Sequence, residues 1–219
     1  MNLLHQIGSL LRKDLLLEWR QRYALNGIIL YVFSTVMVVY MTFRQPESLV
    51  WLTLFWIILL FASVNAVAKS FLQEPPGRML YYYTLVSSQA VIASKIVYNI
   101  ALLSLLTLIA LLAYSLLMGN SVKYPLLFAS SIALGACSFS NCFTLVSAIA
   151  AKAGKNATLM PILSFPLIIP ILGLLVRVSK VAITGITSSN LSKDIAILIA
   201  INGIMLALSL ILFPYLWKD

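Results

Sequence analysis

Few residues in this chain could do chemistry, and their positions restrict what that chemistry could be. The one histidine is His5, inside the opening MNLLHQIGSLLR, and the six acidic residues are Asp14, Glu18, Glu47, Glu74, Asp194 and Asp219. A hydrolase or proton-coupled carrier that works within a membrane places His, Asp, Glu or Lys inside its apolar segments. Here the acidic residues and His5 fall in the leading segment, in connections or at segment edges. Cys137 and Cys142 lie within one apolar stretch, where helix geometry would hold their Cα atoms roughly 8 Å apart on different faces. That spacing suits neither a disulfide nor a shared metal. A phosphate-cradling loop reads GxxxxGK[ST]; the nearest string, AKAGKNAT at Ala151 to Thr158, lacks its first glycine and has Asn after Gly-Lys. The expectation is a chain with no catalytic residues, no metal site and no directly bound cofactor; any hydrolysis of ATP, with its magnesium, must come from a separate subunit.

Polar residues inside the apolar stretches are Asn65, Asn99, Asn141, Asn202, Ser104, Thr107, Ser138 and Ser140. Hydrogen bonds between such groups in a membrane contribute roughly 0.6 kcal/mol on average, so they read first as interhelical packing contacts. Asn141, within GACSFSNC, is the candidate path residue.

What must position these groups follows from composition. The chain is 62% hydrophobic and 10% charged, against roughly 45–50% and about 25% in soluble domains. Six charge-free windows are long enough to cross roughly 30 Å of hydrocarbon. They predict an all-α polytopic membrane protein, one membrane domain over 1–219, with spans at about 24–43, 49–68, 97–119, 125–150, 157–176 and 195–217. The net charge of +9 sits in the connections, a membrane-topology pattern that points away from nucleic acid. With the N-terminus inside, ten of the 15 basic residues fall on the inner side, among them Arg12, Lys13, Arg20, Lys95 and Lys152. The bias orients both termini to the cytoplasm.

The opening segment repeats Leu3, Leu4, Ile7, Leu10, Leu11 and Leu15 at helical spacing, with polar residues opposite, and predicts an amphipathic interfacial helix. Trp19, Arg20, Arg22 and Tyr23 then mark a membrane boundary. The largest inner connection, 69–95, is broken at Glu74 to Gly77 by EPPG. Beyond it Arg78, Tyr81, Tyr82 and Tyr83 open a short amphipathic surface helix that leads to Lys95 and the third span. This connection is the place to receive an ATPase subunit. Pro161, Pro166 and Pro170 each remove a backbone hydrogen bond from the fifth span, so that helix kinks and needs neighbours to satisfy the freed carbonyls. The 177–194 segment is weakly apolar and too short to span; it reads as a re-entrant or interfacial piece.

The run KAGKNATLMPILSFPLIIPIL, Lys152 to Leu172, resembles the haem exporter protein B family (CcmB) in its basic-x-Gly loop and its core around Phe165, Pro166, Leu167, Ile169 and Pro170. The opening LLRKDLLLEWRQR and six spans in about 220 residues are similar to that family as well. QEPPGRMLYYYTL departs from the acidic cluster and Gly-x-Leu-Glu string that many members carry there; Gly77 and Lys95 match. The resemblance implies a bacterial inner-membrane subunit of an ABC-type complex for c-type cytochrome biogenesis. Its implied partners are an ABC ATPase subunit, a haem-handling membrane protein and a periplasmic haem chaperone. The segment Gly77 to Lys95 would carry ATP-driven motion into the spans, to move haem or, as the residues favour, to release the haem-loaded chaperone. A generic ABC-2 exporter permease for lipid, polysaccharide or drug, and a non-transporting membrane scaffold, stay open beside this reading.

Overall fold

A computed structural model of the chain describes residues 3–20, 22–44, 46–72, 86–153, 159–186 and 190–218. Among the described residues there are seven helices and no strand. They are α1 (Leu3–Arg20), α2 (Arg22–Thr42), α3 (Ser48–Leu72), α4 (Ser88–Met118), α5 (Pro125–Lys152), α6 (Leu159–Thr184) and α7 (Leu191–Lys218). Five of them, α3 to α7, are long and apolar enough to cross a bilayer, and the apolar part of α2 is Asn26–Thr42.

α5 is the axis of the bundle. Every residue from Ser138 to Ala148 is buried, which happens only to a helix enclosed on all sides. Its sequence allows this because Ala129, Ser131, Gly135, Ala136, Ser138, Ser140, Thr144 and Ser147 are small, and small residues let neighbouring backbones approach. Large aromatics fill the space opposite. Trp51, Phe55 and Trp56 of α3 pack with Tyr114 of α4 and Phe128 and Phe139 of α5, with ring centroids between 4.9 and 6.1 Å. Gly135 lies directly under Trp56: a Cβ there would stand 2.6 Å from the indole Cη2. The polar edges of these rings are satisfied, Trp56 Nε1 donating to Ser179 Oγ at 3.2 Å and Trp51 Nε1 to the Gly119 carbonyl at 3.2 Å.

At the end of the bundle away from α1, the short connections close the helix termini. Gly119 at φ 77° ends α4. The Lys123 and Tyr124 amides both donate to the Ala182 carbonyl, at 3.2 and 2.9 Å, and Lys123 Nζ donates to the Thr184 carbonyl at 3.2 Å. These are terminal carbonyls of α6 that its own helix leaves unpaired.

Three boundaries differ from the sequence expectation. The stretch read as a re-entrant piece from Arg177 is, as far as Thr184, the last two turns of α6. Val178, Val181, Ala182 and Ile183 keep helical spacing and bury against the bundle until Gly185, at φ 78°, ends the helix. α4 begins at Ser88, well before the expected span start at 97, because Ser87 caps it and accepts from the Ala90 amide. Lys69 and Lys95 are therefore helical residues, and the connection between α3 and α4 is 73–87. Glu74, Gly77, Arg78, Tyr81, Tyr82 and Tyr83 lie outside the described residues. The opening helix differs in which side it buries: Leu10 and Asp14 face the bundle, while Leu4 and Leu15 of the apolar stripe are exposed.

α6 runs continuously through Pro166 and Pro170, and both prolines are on its exposed side. Pro161 stands in the first turn, where a missing amide hydrogen costs little.

The packing around Trp56 makes a matched pair of substitutions informative. Gly173 has no neighbour within 4 Å of an added Cβ. Gly135→Ala is expected to destabilise the purified protein by about 1–3 kcal/mol through overpacking, and Gly173→Ala to leave it unchanged or slightly raised. Thermal unfolding in detergent, comparing both variants with the parent, reads the difference.

Candidate functional site

Gln6, Leu10, Asp14 and Glu18 recur every fourth residue and so share one face of α1. On α4 the residues Ser87, Val91, Lys95 and Tyr98 form a matching row. The two rows meet rung by rung with the helices running in the same direction. Gln6 Oε1 accepts from Ser87 Oγ at 3.0 Å and from the Ser87 amide at 3.3 Å. Leu10 and Val91 belong to one buried apolar cluster. Lys95 Nζ and Asp14 Oδ2 are 3.2 Å apart, and Tyr98 donates its hydroxyl to Glu18 Oε2 at 2.9 Å.

The central rung carries the energy of the site. The side chains of Lys95 and Asp14 are 8% and 6% exposed, so water compensates neither charge and the pair must. Lys13 Nζ reaches the other Asp14 oxygen at 3.0 Å. Lys95 also stands 5.8 Å from the centroid of the Phe71 ring, which packs on Phe213 at 5.6 Å. The last turns of α3 and α7 are thereby joined to the first turns of α4. Ala148 of α5 completes the same cluster.

The site has one geometric consequence. Ser87 is both the N-cap of α4 and the last residue of the 73–87 connection, and its hydroxyl bond to Gln6 ties that point to α1. Of the residues expected to form an ATPase-coupling segment, Lys95 is the one described, and it faces the interior of the junction rather than an open surface. Its partner Asp14, and the neighbouring Tyr98–Glu18 pair, are not singled out as site residues by the sequence. The signal that could have found them is the row Gln6, Leu10, Asp14 and Glu18 at every fourth residue, facing Ser87, Val91, Lys95 and Tyr98, which puts acidic residues on the apolar side of an amphipathic helix.

A second polar site crosses the middle of the bundle. Asn141 Nδ2 donates to Asn202 Oδ1 at 3.0 Å, and Asn202 Nδ2 donates to Ser138 Oγ at 2.7 Å and to the Leu198 carbonyl at 2.9 Å. Asn99 Nδ2 donates to Thr144 Oγ1 at 2.8 Å, and Ser140 Oγ to the Ile96 carbonyl at 3.0 Å. Asn141, the expected path residue, is 6% exposed, and its Oδ1 accepts no hydrogen bond among the described residues. The structure brings it beside α7, while Pro166 and Pro170 are exposed and Pro161 half-buried on α6. Among the described residues no group of three or more His, Cys, Asp or Glu side chains converges. Cys137 and Cys142 are free thiols.

One protein family, described as CcmB protein, matches residues 5–215 of the chain. No curated protein matches it.

Two predictions follow from the geometry. Removing one member of a buried ion pair costs about 3–5 kcal/mol, whereas replacing both by apolar groups is often near neutral. Lys95→Met is expected to destabilise strongly, and Lys95→Met with Asp14→Leu to recover most of the loss, in a double-mutant cycle followed by thermal unfolding in detergent. In the mid-bundle relay, Asn202→Ala removes three hydrogen bonds and Asn141→Ala one. The first is expected to cost more, within the roughly 0.6–1.7 kcal/mol per contact found in membranes; the same unfolding measurement orders the two.

Proposed function

The chain belongs to the CcmB protein family, and from that membership we propose that it is the membrane component of an ABC-type haem-export complex of cytochrome c maturation, driven by a separate ATPase subunit. The observation that carries the coupling is the ladder between α1 and α4. A partner that engages Glu74 to Tyr83 and moves the connection displaces Ser87, and the buried Lys95–Asp14 pair obliges α1 and α4 to move as one unit. The coupling set is Glu74, Gly77, Arg78, Tyr81, Tyr82 and Tyr83 as the contact, with Lys95 as the positioning residue behind it.

In this reading both termini are cytoplasmic, the chain crosses the inner membrane six times with α2 as the first span, and α1 lies at the cytoplasmic face. The exposed prolines support a second membrane partner. Pro166 and Pro170 leave the Ile162 and Pro166 carbonyls without intrahelical donors, and hydrocarbon offers none. The haem-handling membrane protein of the complex would cover that face. The motion releases the haem-loaded periplasmic chaperone and does not carry haem through this chain. Haem ligation needs His, Met, Cys or Tyr in a shaped pocket, and here Cys142 and Tyr114 are packed into the apolar core while His5 is exposed on α1.

The test uses cells in which the gene is deleted and replaced by variants, with covalent haem in c-type cytochromes as the readout. Deletion is expected to abolish it and Lys95→Asp to reduce it at least severalfold. Adding Asp14→Lys to Lys95→Asp, which restores opposite charges, should recover much of the loss. Normal cytochrome levels in the deletion strain would sink the proposal.

A further inference from the structure

We propose that the outer side of α1 is a binding groove for the headgroup of an anionic phospholipid. The helix has three sides. One packs on α4 through Gln6, Leu10, Asp14 and Glu18. A second exposes Leu4, Leu15 and Trp19, at 81%, 58% and 73%. The third is a groove lined by Ser9, Arg12, Lys13, Leu16, Leu17 and Arg20.

Charge separation across α1 is what selects the occupant. At about 100° per residue, Asp14 and Glu18 are turned roughly 130–170° away from the centre of the groove. Both are held there by α4, through Lys95 and Tyr98. The carboxylates of the helix are thus consumed internally, and the groove holds three cations and no carboxylate. Lys13 also reaches back to Asp14, so Arg12 and Arg20, both exposed, present the free charge. Guanidinium groups match the oxygens of a phosphate in a fork that ammonium cannot supply.

Depth selects a lipid. α4 has 31 residues, roughly 46 Å of helix, while the hydrocarbon layer is about 30 Å. About eleven residues of α4 exceed it, and the turns from Ser88 to Tyr98 are the ones that α1 accompanies. The groove therefore lies at the level of the phosphates. Trp19 and Leu15 stand beside Glu18, at the boundary where an aromatic and an aliphatic side chain reach the acyl chains.

The full-length chain in detergent, offered phosphatidylglycerol or phosphatidylcholine and followed by native mass spectrometry, tests this. The parent is expected to retain phosphatidylglycerol preferentially. Arg12→Gln with Arg20→Gln should lower that retention about tenfold or more, at about fivefold per basic residue at an anionic surface. Arg12→Lys with Arg20→Lys should keep part of it, and Lys180→Gln, far along α6, all of it. Equal retention of both lipids, or an unchanged double Gln variant, overturns the proposal. So does full competition by inorganic phosphate, which would mark a simple anion site. Loss of ATPase co-purification in the double Gln variant with lipid retention intact would mark a protein-docking surface and overturn it as well.

Discussion

Hydrocarbon offers a polar group no donor and no acceptor, and the packing of this bundle is arranged around that deficit. Side-chain hydroxyls within the helices turn back on their own carbonyls, as Thr107 does on Leu103 and Ser209 on Met205. Amides pair across helices, as Asn99 does with Thr144 and Asn141 with Asn202. Indole and phenol groups reach carbonyls and hydroxyls that a helix end or a neighbour leaves open. The central position of α5 follows from the same constraint, because a helix rich in Ser, Thr and Asn can be accommodated only where other helices surround it. α6 departs from the rule on one side, where its two interior prolines leave carbonyls toward the outside.

The ion pair between Lys95 and Asp14 is the most demanding case. Two nearly inaccessible charges stabilise the assembly only while they remain together. They therefore hold α1 on α4 more strictly than apolar contact could, since Leu10 would slide along Val91 at small cost. A rung that cannot slip is what a mechanical coupling needs. It also accounts for the orientation of α1 as a whole: once Asp14 and Glu18 are committed to α4, the arginines of the same helix face outward.

The scarcity of reactive groups agrees with the division of labour proposed above. A membrane subunit that converts movement of a connection into movement of helices requires rigid rungs, tight packing and a face for its neighbours. Titratable groups along the spans would add desolvation cost without contributing to that task. The aromatic block of Trp51, Phe55, Trp56, Tyr114 and Phe128 packs the end of the bundle away from α1.

The sequence by itself determined that the chain is helical and suited to a bilayer, because the length of an uncharged run and the absence of charge from it are local properties. It also carried the family resemblance in the run from Lys152 to Leu172. It marked Lys95, Asn141 and the three prolines but not what they meet. Which helix is central, that Asn141 faces Asn202, that Pro166 and Pro170 point outward and that Asp14 is the partner of Lys95 depended on how separate helices are rotated about their axes. That rotation is decided by the sum of contacts between segments far apart in the chain. The helix boundaries at Ser88 and Thr184 lie beyond the expected spans for a related reason: hydropathy reports where lipid can be, whereas a helix continues until a cap such as Ser87 or a glycine such as Gly185 stops it.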